Sequence, residues 1–304
     1  VTPTRHRGLD AAMGFLVIIW GVNFPIIKGA FGELPPFAFN GLRFAVAAAV
    51  LGAVLWRQKG IAFIHRPDLP GLALLGLIGH AGYQTMFIAG LARTSAGHSS
   101  IILSMVPLFV GVLGVVMRIE RPTPRMWIGL VLAFLGVVIL IRGRGSAGLY
   151  SATLIGDLLT MGGALCWAAY TVMSRPWLTR YSALHLTTVT LIIGLPVVLA
   201  TAVPEALGVA WDRVGPQAWA SLAFSAIFAI AVSYLIWYSS VQAVGSVRTA
   251  AFSNLIPVVT LLSAWAMLGE PLGLVQVAGT AVVLFGVWLA RSGLLRTSPA
   301  GPRA

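Results

Sequence analysis

Apolar residues run along this chain in stretches of about 20, the length that crosses the hydrocarbon core of a bilayer. Short connections containing charged residues, Pro or Gly separate them. The pattern predicts helices over 10–30, 37–56, 69–91, 96–117, 124–142, 154–174, 182–203, 215–238, 246–268 and 272–291. The pattern also repeats. The first half carries SIILSMVPLF followed by VMRIERPTPRMWIGLVLAFLGVVIL, and the second carries TAAFSNLIPVV followed by AMLGEPLGLVQVAGTAVVLFGVWL. Pro107 and Pro257, Glu120 and Glu270, Gly129 and Gly279, and Gly136 and Gly286 are each separated by 150 positions. A five-span unit duplicated in one chain inserts its second copy upside down, an arrangement that secondary transporters use to place a solute site at the bilayer midplane. The expected fold is therefore an all-α polytopic membrane protein. It has ten transmembrane helices in two inverted five-helix repeats, 1–145 and 150–292, and a flexible tail at 293–304.

Composition narrows the class. Of 304 residues, 58% are hydrophobic and 9% are charged, against about 25% charged in a soluble domain. The net charge of +12 does not indicate nucleic acid, because the basic residues form no single stripe and sit at the ends of apolar segments. With the N-terminus inside, the inner loops and ends collect Arg5, Arg7, Arg57, Lys59, Arg66, Arg118, Arg121, Arg125, Arg175, Arg180, Arg291, Arg296 and Arg303. The outer ones collect Arg93, Arg142, Arg144 and Arg213. Positive-inside sorting then puts both termini in the cytoplasm. Arg5 and Arg7 precede an apolar run that matches segment 6, so the run is expected to be a retained first helix, not a cleaved signal. The single cysteine, Cys166, allows no intrachain disulfide. No metal cluster, phosphate loop, paired acids or nucleophile constellation stands out, so no cofactor and no enzymatic activity are expected.

Polar side chains inside a span face protein or a water-filled cavity. Segment 1 carries Trp20 and Asn23 on one face, one turn before Pro25; segment 6 carries Trp167 and Tyr170 at the same spacing, with Trp167 placed 147 positions after Trp20. Segment 3 contributes His80, Tyr83, Gln84 and Phe87, and its partner, segment 8, contributes Tyr234, Trp237 and Tyr238. Trp20, Tyr83, Trp167 and Tyr170 lie nearer mid-span than an interfacial aromatic belt would put them. Together with Ser99 of segment 4 they make a candidate substrate site: Trp20, Asn23, His80, Tyr83, Gln84, Ser99, Trp167, Tyr170, Tyr234 and Trp237. Pro25, Pro107 and Pro257 break helices and are candidate hinges or binding dipoles. Glu120 and Glu270 suit the start of the helix that comes after each of them. Lys28 and Arg43 either snorkel to the outer interface or jointly hold an anion; snorkelling is the expectation. The repeated glycines suit close helix packing.

The stretch WGVNFPIIK in segment 1, the Pro107 region with its trailing Glu120, and LIPVVTLLSAWAMLGEPLGLVQVAGTAVVLFGVWL resemble the drug/metabolite transporter superfamily, EamA type, over residues 10–291. Within it the chain is most similar to the YddG-type exporters of aromatic and neutral amino acids. The first copy departs from the family's Gly-Glu pattern, with Ile119 where the second has Gly269. The resemblance implies a multi-pass protein of the bacterial inner membrane with alternating access between its halves. It implies export of aromatic and other neutral amino acids, or similar small metabolites; because two halves in one chain can form one pathway, a monomer is expected, with the solute and the lipid bilayer as partners and no nucleic acid. Two other readings stay open: a carrier of anionic or phosphorylated metabolites, which needs Lys28 and Arg43 at the cavity, and a non-transport membrane protein such as a lipid scramblase.

Overall fold

A computed structural model describes residues 3–58, 64–117, 124–142 and 152–294. Glu120, Lys59, Arg118, Arg121, the connection at 143–151 and the tail from 295 lie outside them. The described residues are helical almost throughout, with no strand among them. In chain order the helical segments are α1 (Pro3–Ala30), α2 (Pro36–Arg57), α3 (Arg66–Arg93), α4 (Ala96–Val116), α5 (Pro124–Arg142), α6 (Ala152–Trp177), α7 (Ala183–Ala206), α8 (Pro216–Val244), α9 (246–268) and α10 (Leu274–Leu294). Seven of these, α1–α4 and α6–α8, contain runs long and apolar enough to cross a membrane. Three shorter apolar runs lie within α5, α9 and α10, at Trp127–Gly136, Phe252–Leu268 and Leu274–Leu289.

The strongest packing joins the two halves. α5 lies along α10, α2 along α7, α3 along α6 and α1 along α8, while α4 meets α6 and α1 meets α9. Exchanging each helix for the one five places further on maps this set of pairs onto itself. The α5–α10 contact depends on glycine. A Cβ at Gly136 would lie 2.7 Å from the Val283 backbone nitrogen, and one at Gly286 would lie 2.4 Å from that of Ala133. The Gly279 carbonyl oxygen lies 3.0 Å from the Gly136 position and that of Gly129 lies 2.7 Å from the Gly286 position. In lipid, where exclusion of water cannot drive helices together, such close backbone approach holds them by dispersion.

The proline sites act in different ways. Pro25 leaves α1 unbroken, and the carbonyl it deprives of a donor, on Gly21, accepts from Thr260 Oγ1 at 3.0 Å and Ser263 Oγ at 3.4 Å on α9. Pro107 and Pro257 each come just after a local break: a turn at Ser104–Met105 in α4 and a 3-10 stretch, Ala251–Leu255, in α9. α3 and α8 also carry matched irregularities, π-helical turns at Leu77–Gly82 and Ser225–Val232. α9 ends on Gly269 in the left-handed region, φ 65°, the tight turn that a glycine allows.

Carboxylates close one end of the bundle. Glu33 after α1 accepts from the Gly215 amide at the start of α8. Glu205 of α7 accepts from Phe37 and Ala38 at the start of α2, at 2.6 and 3.1 Å. Glu270 after α9 accepts from Ala96 and Gly97 at the start of α4, at 2.8 and 3.0 Å. Each carboxylate thus satisfies orphan amides, and meets the positive dipole end, of a helix in the other half. This corrects the expectation for Glu270: its carboxylate takes the first amides of α4 and not those of its own next helix, α10. Glu270→Ala is expected to cost about 1–2 kcal/mol, read as a lower thermal midpoint of the purified protein.

At the opposite end Asp68, at the start of α3, accepts from Arg180 Nη1 at 2.9 Å and from the Tyr181 hydroxyl at 2.6 Å. Both donors lie in the α6–α7 connection, so this contact also joins the halves.

Candidate functional site

The α8 π turn, the two breaks and the α3 turn that follows its own π stretch line a cavity of about 60 Å³ between the halves. α1 contributes Trp20, Asn23 and Phe24, α2 contributes Arg43, and α3 contributes Tyr83, Gln84 and Phe87. The broken helices give Ser100, Leu103, Ser104 and Val106 from α4, and Ser253 and Ile256 from α9. α6 adds Trp167, and α8 adds Ala229, Ile230 and Tyr234.

The walls are aromatic and interlocked. Trp167 is buried at the centre, with ring centroids 5.0 Å from Tyr83, 5.0 Å from Tyr234 and 5.7 Å from Trp20. Trp20 donates its indole N–H to the Ala229 carbonyl at 2.9 Å. That acceptor lies in the α8 π turn, where the changed hydrogen-bond register leaves carbonyls to outside donors.

Of the residues singled out from sequence, Trp20, Asn23, Tyr83, Gln84, Trp167 and Tyr234 line the cavity. Trp237, Tyr170, His80 and Ser99 stand behind it. Trp237 backs Trp20 at 5.3 Å and donates to Thr171 Oγ1 at 3.3 Å. The Tyr170 hydroxyl and His80 Nε2 both meet Thr190 Oγ1, at 2.6 and 3.1 Å. Ser99 is fully buried, 3.4 Å from Thr160 Oγ1, and its neighbour Ser100 takes the place on the wall.

Arg43 corrects a sequence expectation. It does not snorkel, being 1% exposed and part of the cavity wall. Asn40 Oδ1 accepts from its Nε at 3.0 Å and from its Nη2 at 2.9 Å; Gln84 Oε1 accepts from Nη2 at 2.7 Å and Ser225 Oγ from Nη1 at 2.9 Å. Gln84 passes the link on, donating from Nε2 to the Tyr234 hydroxyl at 2.8 Å. Phe39, Phe44 and Phe87 each hold a ring centroid 5.9 Å from the guanidinium carbon, a favourable cation–π range. The signal available in the sequence was Asn40 one turn earlier on the same face of α2. Its weight depended on Gln84 and Ser225, 41 and 182 positions away.

Lys28 does not join Arg43. Its ammonium donates to the carbonyls of Leu91, at 3.0 Å, and Thr94 at the end of α3. Asp157 on α6 is buried beside them and accepts from Thr94 Oγ1 at 2.8 Å.

A multi-pass helical bundle with a polar and aromatic cavity between two halves has the build of a membrane transporter. The EamA-like transporter family model matches residues 11–142 and 154–292, and the chain belongs to that family. It is 31% identical over 295 residues to an uncharacterized transporter, YyaM, of Bacillus subtilis, covering 96% of each chain. It is 29% identical over 296 residues to a probable amino-acid metabolite efflux pump of Salmonella typhimurium, covering 94% of this chain and 95% of that one. A solved crystal structure shares the fold at TM-score 0.67 and 19% identity, covering 93% of this chain and 97% of the other. The family and the seven long apolar helices make the protein a multi-pass bacterial membrane protein that acts in transport.

Proposed function

We propose that the protein exports aromatic and other neutral amino acids, or similar small metabolites, across the bacterial inner membrane by alternating access. The observation that carries this reading is the cavity wall of Trp20, Tyr83, Trp167 and Tyr234, drawn from both halves. Such a wall offers stacking area to an apolar or aromatic side chain. It selects loosely by size, since one methylene in such a pocket is worth only ~1–3 kcal/mol. The efflux-pump name of the Salmonella relative supports the solute class.

In this reading the halves are inverted five-helix repeats, 1–145 and 150–292, with ten crossings and both termini cytoplasmic. The cross-half helix pairs, the matched π turns and the two stretches matched by the family model support that arrangement. The cavity of about 60 Å³ is far below the roughly 300–1,000 Å³ of ligand pockets. Binding therefore requires the rings to part. The contacts at the two ends, Glu33, Glu205 and Glu270 at one and Asp68 at the other, are the ones that rocking of the halves breaks in turn. A monomer suffices, because one chain supplies both halves of the pathway.

The anion-carrier reading draws on Arg43 but loses Lys28, which is turned to carbonyls away from the cavity wall. One cation at the site suits a single carboxylate better than a doubly charged phosphate.

The test is flux in vesicles reconstituted with the purified chain, loaded with labelled amino acids, purines and organic phosphates, with and without a pH gradient. Saturable phenylalanine efflux, with other neutral amino acids competing, is the expected result. Movement of organic phosphate alone would replace the substrate assignment. Trp20→Ala, which opens the wall while leaving Trp167 in place, is expected to lower phenylalanine flux about tenfold, the worth of roughly one aromatic contact.

A further inference from the structure

The cavity contains two unsettled polar groups of opposite need. Arg43 is a buried guanidinium whose every described hydrogen-bond partner, Asn40, Gln84 and Ser225, is neutral. Burying a charge is costly unless an opposite charge or a strong set of hydrogen bonds compensates it. The three phenylalanine rings and three neutral acceptors do so only in part. They use four of the five N–H donors a guanidinium carries.

Asn23 lies on helix α1, 7% exposed as a residue, and its Oδ1 is buried with no hydrogen-bond partner. It lines the same cavity as Arg43. A buried acceptor left unmatched costs free energy that an incoming donor recovers. The cavity thus lacks one anionic acceptor and one donor, and the aromatic wall stands beside both.

We propose that Arg43 and Asn23 form a head-group site for an α-amino acid zwitterion, Arg43 taking the carboxylate and Asn23 Oδ1 the ammonium, while the side chain lies against Trp20, Trp167 and Tyr83. This rests on the amino-acid reading above and deepens it, because it makes both charged groups of the cargo obligatory. Gln84 and Asn40 act as positioning residues that hold the guanidinium fork in the wall. The guanidinium keeps one N–H, on Nη1, and its fixed charge for the carboxylate, whereas a lysine ammonium with three donors has none to spare beyond Asn40, Gln84 and Ser225.

The test compares three ligands on the full-length protein in proteoliposomes and in detergent: phenylalanine, phenethylamine without the carboxylate, and 3-phenylpropionate without the ammonium. Wild type is expected to bind phenylalanine about 10- to 100-fold more tightly than either analogue, the size of one charged hydrogen bond lost. Arg43→Gln is expected to weaken phenylalanine by a similar factor and to leave phenethylamine unchanged. Asn23→Leu is expected to weaken phenylalanine and to leave 3-phenylpropionate unchanged. A merely structural role would weaken all three ligands alike in each variant, and that outcome overturns the proposal. Arg43→Lys, which keeps the charge, serves if Arg43→Gln does not elute as a folded species, and it is expected to recover phenylalanine binding only partly. Phenylalanine binding by wild type with no loss in either variant overturns the head-group site alone. Transport of some other solute class with no amino acid bound overturns the substrate reading and the site together.

Discussion

Trp167→Ala is expected to abolish saturable flux and to destabilise the purified protein by about 3–5 kcal/mol, the usual range for removing a buried large aromatic ring. Trp167 is 3% exposed, and six rings surround it. Tyr83 and Tyr234 lie at 5.0 Å, Trp20 and Trp237 at 5.7 Å, Tyr170 at 5.9 Å and Tyr238 at 6.0 Å. Each such pair is worth about 0.5–1.5 kcal/mol beyond the area it buries. Deleting the hub also leaves a void that the flanking rings fill only by leaving their positions on the cavity wall. Trp167→Phe keeps a ring at the site and is expected to retain the fold and part of the flux. Thermal unfolding in detergent and phenylalanine efflux from vesicles read the two effects separately. A Trp167→Ala protein that melts and transports like wild type would show that the aromatic cluster neither holds the halves nor meets the solute.

The second large effect is expected at the α5–α10 contact. Gly286→Val places a branched side chain where a Cβ already lies 2.4 Å from the Ala133 nitrogen and 2.7 Å from the Gly129 carbonyl oxygen. Both neighbours are backbone, so neither turns away as a flexible side chain would. The helices must separate, and the dispersion gained along their length is lost with the glycine's close approach. Overpacking of this kind costs about 3 kcal/mol. The expected result is loss of the folded species on size-exclusion chromatography, or a clear drop in thermal midpoint. Gly136→Val is expected to act alike, because it meets the Val283 nitrogen and the Gly279 carbonyl in the reciprocal place. Gly14, with nothing within 4 Å of its Cβ position, is the control; Gly14→Ala is expected to leave the midpoint no lower, since alanine is the better helix former.

Much of this architecture was legible in the chain. Apolar runs of bilayer length predicted the helical segments, because lipid leaves a spanning backbone no partner outside its own helix. The spacing of 150 positions between the paired Pro, Glu and Gly residues pointed to equivalent halves, and Gly136 and Gly286 do meet each other's helices at equivalent places. The ring spacing on α1, α3, α6 and α8 marked faces, since residues three and four apart on a helix are neighbours. Spacing alone did not separate the wall from the layer behind it. Tyr83 faces the cavity while His80, one turn earlier, meets Thr190 on α7, and the π turn between Leu77 and Gly82 changes the helical phase that links them.

The sequence by itself determined the features that the bilayer and helical periodicity dictate: an all-helical membrane protein, its apolar runs and the helix faces that carry its rings. Only the tertiary structure decided where the charges went. Arg43 read as a cation free to reach the interface, and three neutral acceptors with three phenylalanine rings hold it in the wall instead. Glu270 read as the start of its own helix, and its carboxylate serves α4 in the other half. The physical reason is common to both. Arg43 in the buried interior and Glu270 at the half-buried end of the bundle both settle on the donors or acceptors that the folded chain brings within 3 Å or so. Asn40 apart, those partners lie 41 to 182 positions away along the chain, beyond the reach of any local pattern.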